Sequence, residues 1–278
     1  MIHVFNEVSE QCSRAVTERY STSFSTAIRL LHKDLRAPIR NIYGFVRFAD
    51  EIVDTFHQHD KVFLLERFKK DTYDAIERGI SLNPVLNSFQ ATVNEYNIDL
   101  KLVDAFFHSM ELDLRKKNYS EKEYEEYIYG SAEVVGLMCL YVFCEGKRDV
   151  WNNLKAAARS LGAAFQKVNF LRDMKADYSG LSRIYFPGCD LQNFTTSDKE
   201  KIEADIYADF KESYRGILQL PVKARFGVYV AYKYYFSLFK KIRKTKAAKV
   251  MGRRIRIPNY YKALIIVRAG LKNSLRMI

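Results

Sequence analysis

The chain predicts an all-α fold in a single domain, and three observations carry that reading. Apolar residues recur at three- and four-residue spacing almost throughout, as with Phe63, Leu64, Phe68, Ala75 and Ile76 in KVFLLERFKKDTYDAIERGI. No clear run alternates apolar and polar residues as a half-buried strand would. Glycine and proline are scarce, 12 and 5 in 278 residues, which argues against collagen-like, linker-like and turn-dense β-sandwich chains. A hydrophobic share of 48% excludes wholesale disorder. No linker, repeat or low-complexity stretch divides the chain, so one domain is expected over residues 1–278.

Taken in order, helices are expected near residues 4–18, 22–33, 37–57, 61–80, 84–95, 99–117, 121–145, 149–177, 198–218, 221–244 and 258–275. Pro84 is placed to open the fifth as a first-turn residue, and Pro221 and Pro258 the last two. A capping box, Ser120 with Glu123, starts the seventh, and Ser197 with Glu200 is read as a second box starting the ninth. The longest apolar run, Val134 to Cys144 between Glu133 and Glu145, is too short to span a bilayer. The longest irregular stretch is 178–196, which contains SRIYFPGCDLQNF, and a loop of that length points to function.

Cys12, Cys139, Cys144 and Cys189 are scattered without a C-x-x-C pair, which argues against a disulfide framework or a cysteine zinc site. The first residues, MIHVFNEVSEQCSRAV, lack a signal-peptide layout, so a cytoplasmic, reduced protein is expected. Charge is lopsided. The total is +12, yet no acidic residue follows Glu212 while 17 Lys and Arg do. Such a segment favours an anionic partner: phosphate groups, nucleic acid or an anionic membrane face.

Two carboxylate constellations stand out. In YGFVRFADEIVD (43–54), Asp50 and Asp54 share one helix face, continued by Arg47 and Tyr43. Like charges at that spacing destabilise a bare helix by a few tenths of a kcal/mol, and a cation between them removes the cost. Alone, this D-x-x-x-D reads as a solvated acidic face. In LGAAFQKVNFLRDMKAD (161–177), Gln166, Asn169, Asp173 and Asp177 form a polar stripe beside Leu161, Ala164, Phe165, Val168 and Leu171. Asn and Asp supply hard oxygens suited to Mg²⁺, which binds through few carboxylates together with waters and substrate phosphates. Two such helices facing one another suit the ionisation of an allylic diphosphate, with metals and basic groups stabilising the departing charge. Nothing supports a di-metal bundle, because Glu-x-x-His is absent and His57 and His59 read as surface residues. G-x-S-x-G, G-x-G-x-x-G and the P-loop are absent too.

With these segments in order, the chain resembles the squalene/phytoene synthase family from Tyr20 to about Lys262. YSTSF (20–24) resembles the family's flap, and RAPIRNIYGFVRFADEIVD (36–54) its first aspartate motif. YIYGSAEVVGLM (127–138) resembles its cavity helix. LGAAFQKVNFLRDMKAD with SRIYFP (182–187) resembles its second aspartate motif and trailing Arg-x-Tyr-x-Pro. The resemblance implies an isoprenoid-synthase-type helical bundle around a central apolar cavity. It implies that Asp50, Asp54, Asn169, Asp173 and Asp177 ligate Mg²⁺, with Mn²⁺ as a substitute. Tyr43, Arg47, Tyr127 and Arg172 would act at the reacting diphosphate and carbons. Tyr20, Ser21, Thr22, Ser23, Phe24, Gln166, Arg183, Tyr185, Tyr235 and Arg254 would contact substrate. The chain departs from the family pattern at Tyr20, where the flap has His, at Glu51, where the motif has Asp, and at Ala176, where it has Glu.

The reaction implied is head-to-head condensation of two prenyl diphosphates through a cyclopropylcarbinyl diphosphate, with release of pyrophosphate. Phytoene from geranylgeranyl diphosphate, in carotenoid biosynthesis, is the expected product. The alternative is squalene or dehydrosqualene from farnesyl diphosphate, with NADPH used only for squalene. Ile28 lies one turn after Phe24 and can line the same tunnel; its size, smaller than an aromatic, favours the longer chain. A rival of another class is a basic helical protein that binds membrane surfaces or nucleic acid through KKIRKTKAAKVMGRRIRIPNYYK (240–262). Binding alone leaves the aspartate stripes without a purpose. The expectation is therefore an enzyme with an anionic membrane surface as partner, peripheral on the inner membrane face, without nucleic acid. A monomer is favoured.

Overall fold

The computed structural model describes residues 1–116, 118–176, 178, 183–190, 193–250 and 254–275. Thirteen α-helices follow one another among them: α1 Ile2–Tyr20, α2 Thr22–Arg29, α3 Lys33–Asp54, α4 Lys61–Arg78, α5 Pro84–Tyr96, α6 Leu100–Arg115, α7 Glu121–Ile128, α8 Val134–Phe143, α9 Arg148–Ala176, α10 Thr196–Gln219, α11 Val222–Arg243, α12 Ala247–Val250 and α13 Asn259–Ser274. A π-helical turn, Tyr129–Glu133, joins α7 to α8. Among the described residues there is no strand, and one isolated parallel bridge pairs Asn118 with Ile184. The all-α expectation holds.

Local chemistry explains the boundaries. Asp60, Asn83, Asp99 and Ser120 each cap a helix start by accepting a backbone N–H. Ser120 and Glu123 form the expected capping box. The second expected box is displaced: Thr195 caps α10 together with Asp198, and Ser197 lies inside the helix. Both pairs fit the pattern, and the chain uses the earlier one. Pro84 occupies the first turn of α5, whereas Pro221 and Pro258 stand one residue earlier, as the caps of α11 and α13. α3 begins a turn before its Pro38, because Leu35 is already buried and anchors that turn.

The core centres on α3. Phe45 stacks on Phe89 at 3.8 Å between centroids and meets Phe106 and Phe107 at 5.2 and 5.6 Å. α9 runs along α10 and crosses the π turn at very close range: a Cβ on Gly162 would lie 2.5 Å from the Ala132 carbonyl oxygen. A Cβ on Gly130 would lie 2.3 Å from that of Ala105. Those approaches split the expected 121–145 helix: the backbone widens where Gly130 presses on α6. No helix among the described residues is long and apolar enough to cross a membrane.

Candidate active site

A cavity of about 470 Å³ opens between α2, α3, the π turn with α8, α9, α10 and α11. Its volume falls in the range of small-molecule sites. The walls change character along two helices. On α3 the lining runs from Ile39 through Tyr43, Val46 and Arg47 to Asp50, and on α9 from Leu154 through Leu161 and Phe165 to Gln166, Asn169 and Arg172. Ring contacts tie each wall to a neighbour: Phe24 of α2 lies 5.0 Å from Tyr43 of α3, and Tyr235 of α11 stacks on Phe165 of α9 at 3.9 Å. Ile28, Leu31, Leu140, Phe143 and Leu220 line the apolar remainder.

Among the residues singled out from the sequence, Tyr20, Ser21, Phe24, Tyr43, Arg47, Asp50, Tyr127, Gln166, Asn169, Arg172, Tyr235 and Arg254 line this one cavity. Thr22, Ser23, Asp54, Asp173, Arg183 and Tyr185 are not part of its wall. Asp177 lies outside the described residues.

Charge is arranged in pairs around the polar end. Arg47 reaches Glu51, stands 4.0 Å from Asp50 and sits over the Tyr20 ring at 4.4 Å. Burial pushes the Asp50 carboxyl up to about 8, with Asp54 adding to the rise and Arg47 opposing it. The 32% of that side chain left accessible marks a carboxylate displayed at the wall rather than sealed in the core. Burial likewise holds the Tyr43 phenol at about 12. Asp173 receives Arg172 (Nε to Oδ1, 3.0 Å) and Arg254 (Nε to Oδ1, 2.8 Å).

Asp54 points instead to a buried cluster that sequence reasoning missed. Arg183 Nη1 donates to Asp54 Oδ1 at 2.7 Å and lies 2.9 Å from Asp113 Oδ2, while Nη2 donates to the Asp113 carbonyl at 3.1 Å. Asp113 is 5% exposed. It also accepts the hydroxyls of Tyr119 (2.8 Å), Tyr127 (3.2 Å) and Tyr185 (3.3 Å). Burial raises its carboxyl to about 6 against the pull of Arg183. One signal was available: Asp113 continues the buried register of Val103, Phe106 and Met110, a place where an acid is costly unless paired.

The donor set fits a hard divalent cation held jointly with a diphosphate. Asn169 Oδ1 is buried at the wall without a hydrogen-bond partner among the described residues, and Asp50 beside Asp54 carries charge that burial opposes. No three His, Cys, Asp or Glu side chains among the described residues come together as a self-sufficient cage.

A helical bundle enclosing a cavity that is apolar over most of its length, with carboxylates and arginines gathered at one end, defines a class of site suited to a ligand with an apolar tail and an anionic head. Residues 17–261 match the squalene/phytoene synthase family, and the chain belongs to that family of prenyltransferases. It is 26% identical over 209 residues to a 4,4'-diapophytoene synthase of Staphylococcus haemolyticus, covering 73% of this chain and 70% of that one. It is 26% identical over 261 residues to phytoene synthase 1 of Solanum lycopersicum, covering 86% of this chain and 62% of that relative's length. In fold it is similar to a crystal structure of a dehydrosqualene synthase in complex with ligand, with a TM-score of 0.82, 20% identity and 98% of each chain covered.

Proposed function

We propose that the chain, acting as one domain, joins two prenyl diphosphates head to head, with geranylgeranyl diphosphate as substrate and phytoene as product. The observation that carries this is the single cavity whose wall passes from Ile28 and Leu140 to Asp50, Asn169 and Arg172. Asp50, Asp54, Asn169, Asp173 and Asp177 would hold Mg²⁺, or Mn²⁺ in its place. When bound, the ions neutralise the charge of the departing diphosphate. Arg47, Arg172 and Arg254 bind and orient that diphosphate, with Tyr20, Ser21, Gln166 and Tyr235 beside it and Thr22 and Ser23 completing the flap. Arg183 and Tyr185 serve from behind the wall. Phe24 and the apolar walls exclude water from the allylic cation. Tyr43 and Tyr127 keep their protons, since burial raises both phenols, and present neutral rings to it. Attack by the second alkene, with loss of a proton as the three-membered ring closes, would give a cyclopropylcarbinyl diphosphate; its ionisation releases the second pyrophosphate, and rearrangement with loss of a second proton gives the product. The test is incubation with farnesyl or geranylgeranyl diphosphate and Mg²⁺, with and without NADPH, followed by product mass. Phytoene is expected. A farnesyl-derived product would instead establish the dehydrosqualene or squalene reading.

Chain length is probed at Ile28, which is 1% exposed and lines the cavity. Overpacking a filled tunnel costs roughly 1–3 kcal/mol. Ile28→Phe is therefore expected to lower kcat/KM for the geranylgeranyl substrate more than for the farnesyl one. An unchanged ratio of the two would remove position 28 from the tunnel argument.

The basic C-terminal region supports a peripheral place at the inner, anionic face of the cytoplasmic membrane. On α13, Tyr260, Leu264, Val267 and Leu271 are exposed at spacings that place them on one side, with Arg268 and Lys272 flanking them. Vesicle sedimentation is expected to show binding to anionic lipid that weakens with salt, and little to neutral lipid. Equal, salt-independent partitioning would rule the electrostatic part out.

A further inference from the structure

Asp113 carries no role in the reading above, yet it is among the most elaborately satisfied groups in the molecule. It sits on α6, outside the cavity wall, and takes donors from four side chains on three other segments: Tyr119, Tyr127, Arg183 and Tyr185. Those aromatic rings pack against one another: Tyr119 tilts onto Tyr127 at 5.2 Å, Tyr127 stacks with Tyr185 at 5.3 Å, and Tyr185 stacks on Phe170 of α9 at 3.9 Å. The backbone bridge between Asn118 and Ile184 ties the segment of Tyr119 to that of Arg183 and Tyr185. Of the four donors, Tyr127 alone lines the cavity.

We infer that Asp113 is a positioning residue that acts through Tyr127: it accepts the phenol O–H in a fixed hydrogen bond and turns an electron-enriched ring toward the reacting carbons. The chemistry follows from the geometry. A hydroxyl donating to a buried carboxylate is polarised, and in a low-dielectric surrounding that polarisation extends to the ring it belongs to. An electron-rich ring face attracts a cation more strongly. The gain arises when the hydrocarbon becomes cationic and not when neutral substrate binds, so Asp113 should govern kcat and leave binding nearly unchanged.

This inference rests on the proposed prenyl condensation, and the experiment keeps the two separable. In the full chain, kcat for pyrophosphate release is measured for Asp113→Asn, Tyr127→Phe and the double variant, and affinity for a non-ionising prenyl thiolodiphosphate is measured by calorimetry. Each single variant is expected to lose about tenfold or more in kcat, below the roughly 10²–10³-fold lost with a hydrogen-bond donor that touches the developing charge directly. The double variant should fall no further than about threefold below the worse single, because both changes break one interaction. Thiolodiphosphate affinity should stay within about threefold. Asp113→Glu keeps the charge that balances Arg183, and runs the same cycle if the asparagine variant does not fold. Multiplicative losses, or wild-type kcat in the folded Asp113 variant, would overturn the role of Asp113. A wild-type chain that releases no pyrophosphate from any prenyl diphosphate would overturn the function itself.

Discussion

Asp50→Asn is expected to stop turnover and, in the absence of divalent cation, to raise the melting temperature at pH 8. The two effects share one cause. Burial and Asp54 hold the Asp50 carboxyl near 8, against an ordinary value of 3.8. Between about pH 4 and 8 the folded chain keeps a proton that the unfolded chain gives up, so this group's contribution to stability is full below that window and falls as pH rises through it. Asparagine keeps the shape and removes the charge. Because water in the cavity screens the carboxylate, the gain should be ~1–3 kcal/mol, or a few degrees in Tm, at pH 8, vanishing towards pH 4. Turnover should drop by about 10³-fold, since the missing charge would stabilise the departing diphosphate through its cations. Thermal melts with chelator at pH 5 and 8, together with product assays, check both halves. A lower Tm at pH 8, or activity near that of wild type, would contradict this account of Asp50.

Arg183→Met should be the most damaging change to the fold. Arg183 compensates Asp113 at 2.9 Å, both side chains being less than a tenth exposed, and it restrains Asp54 at 2.7 Å. Breaking a buried pair by removing one partner costs about 3–5 kcal/mol, because the other charge is left uncompensated. Three tyrosine hydroxyls remain on Asp113, so the low end of that range is expected. The Asp113 carboxyl, already raised to about 6, rises further without its guanidinium. The deficit should therefore grow as pH rises from 5 to 8, the folded variant holding a proton longer than the unfolded chain. Urea midpoints at the two pH values measure it. A loss below about 1 kcal/mol at pH 8 would mean that Arg183 and Asp113 are not coupled in solution.

The helices were legible because each carries its apolar side at three- and four-residue spacing, and because Asp60, Asn83, Asp99 and Ser120 announce their starts locally. Events decided by distant neighbours were not legible. The break at Tyr129–Glu133 arises from Gly130 against the Ala105 carbonyl and Gly162 against that of Ala132, contacts between residues far apart in sequence. The choice of Thr195 over Ser197 as a cap is of the same kind, since both satisfy the local pattern. At the site, the helical face shared by Tyr43, Arg47 and Asp50, and the stripe of Gln166 and Asn169, could be read from spacing alone, and the fold brings them to one cavity. Asp113 escaped because no spacing rule reports which chain segment will cover an acid on an apolar stripe. Arg183 and Tyr185 were singled out by resemblance to sequences of known kind, but that could not show them turned away from the cavity wall toward Asp113.

The glycines of the cavity wall limit how this protein could change over generations. An added methyl at Gly136 would meet the Ala158 carbonyl oxygen at 2.8 Å, and one at Gly162 would meet the Ala132 oxygen at 2.5 Å. At that seam, between α9 and the π turn with α8, main chain meets main chain, and main chain does not yield to a single codon change without displacing a whole helix. Opposite it stand side chains that single substitutions can trim or enlarge: Ile28, Leu31 and Phe143. Drift in the length of hydrocarbon accepted should therefore accumulate on α2, the turn after it and the end of α8, while Gly136 and Gly162 stay constant. Descendants of this sequence that take up shorter or longer chains should differ first at those positions.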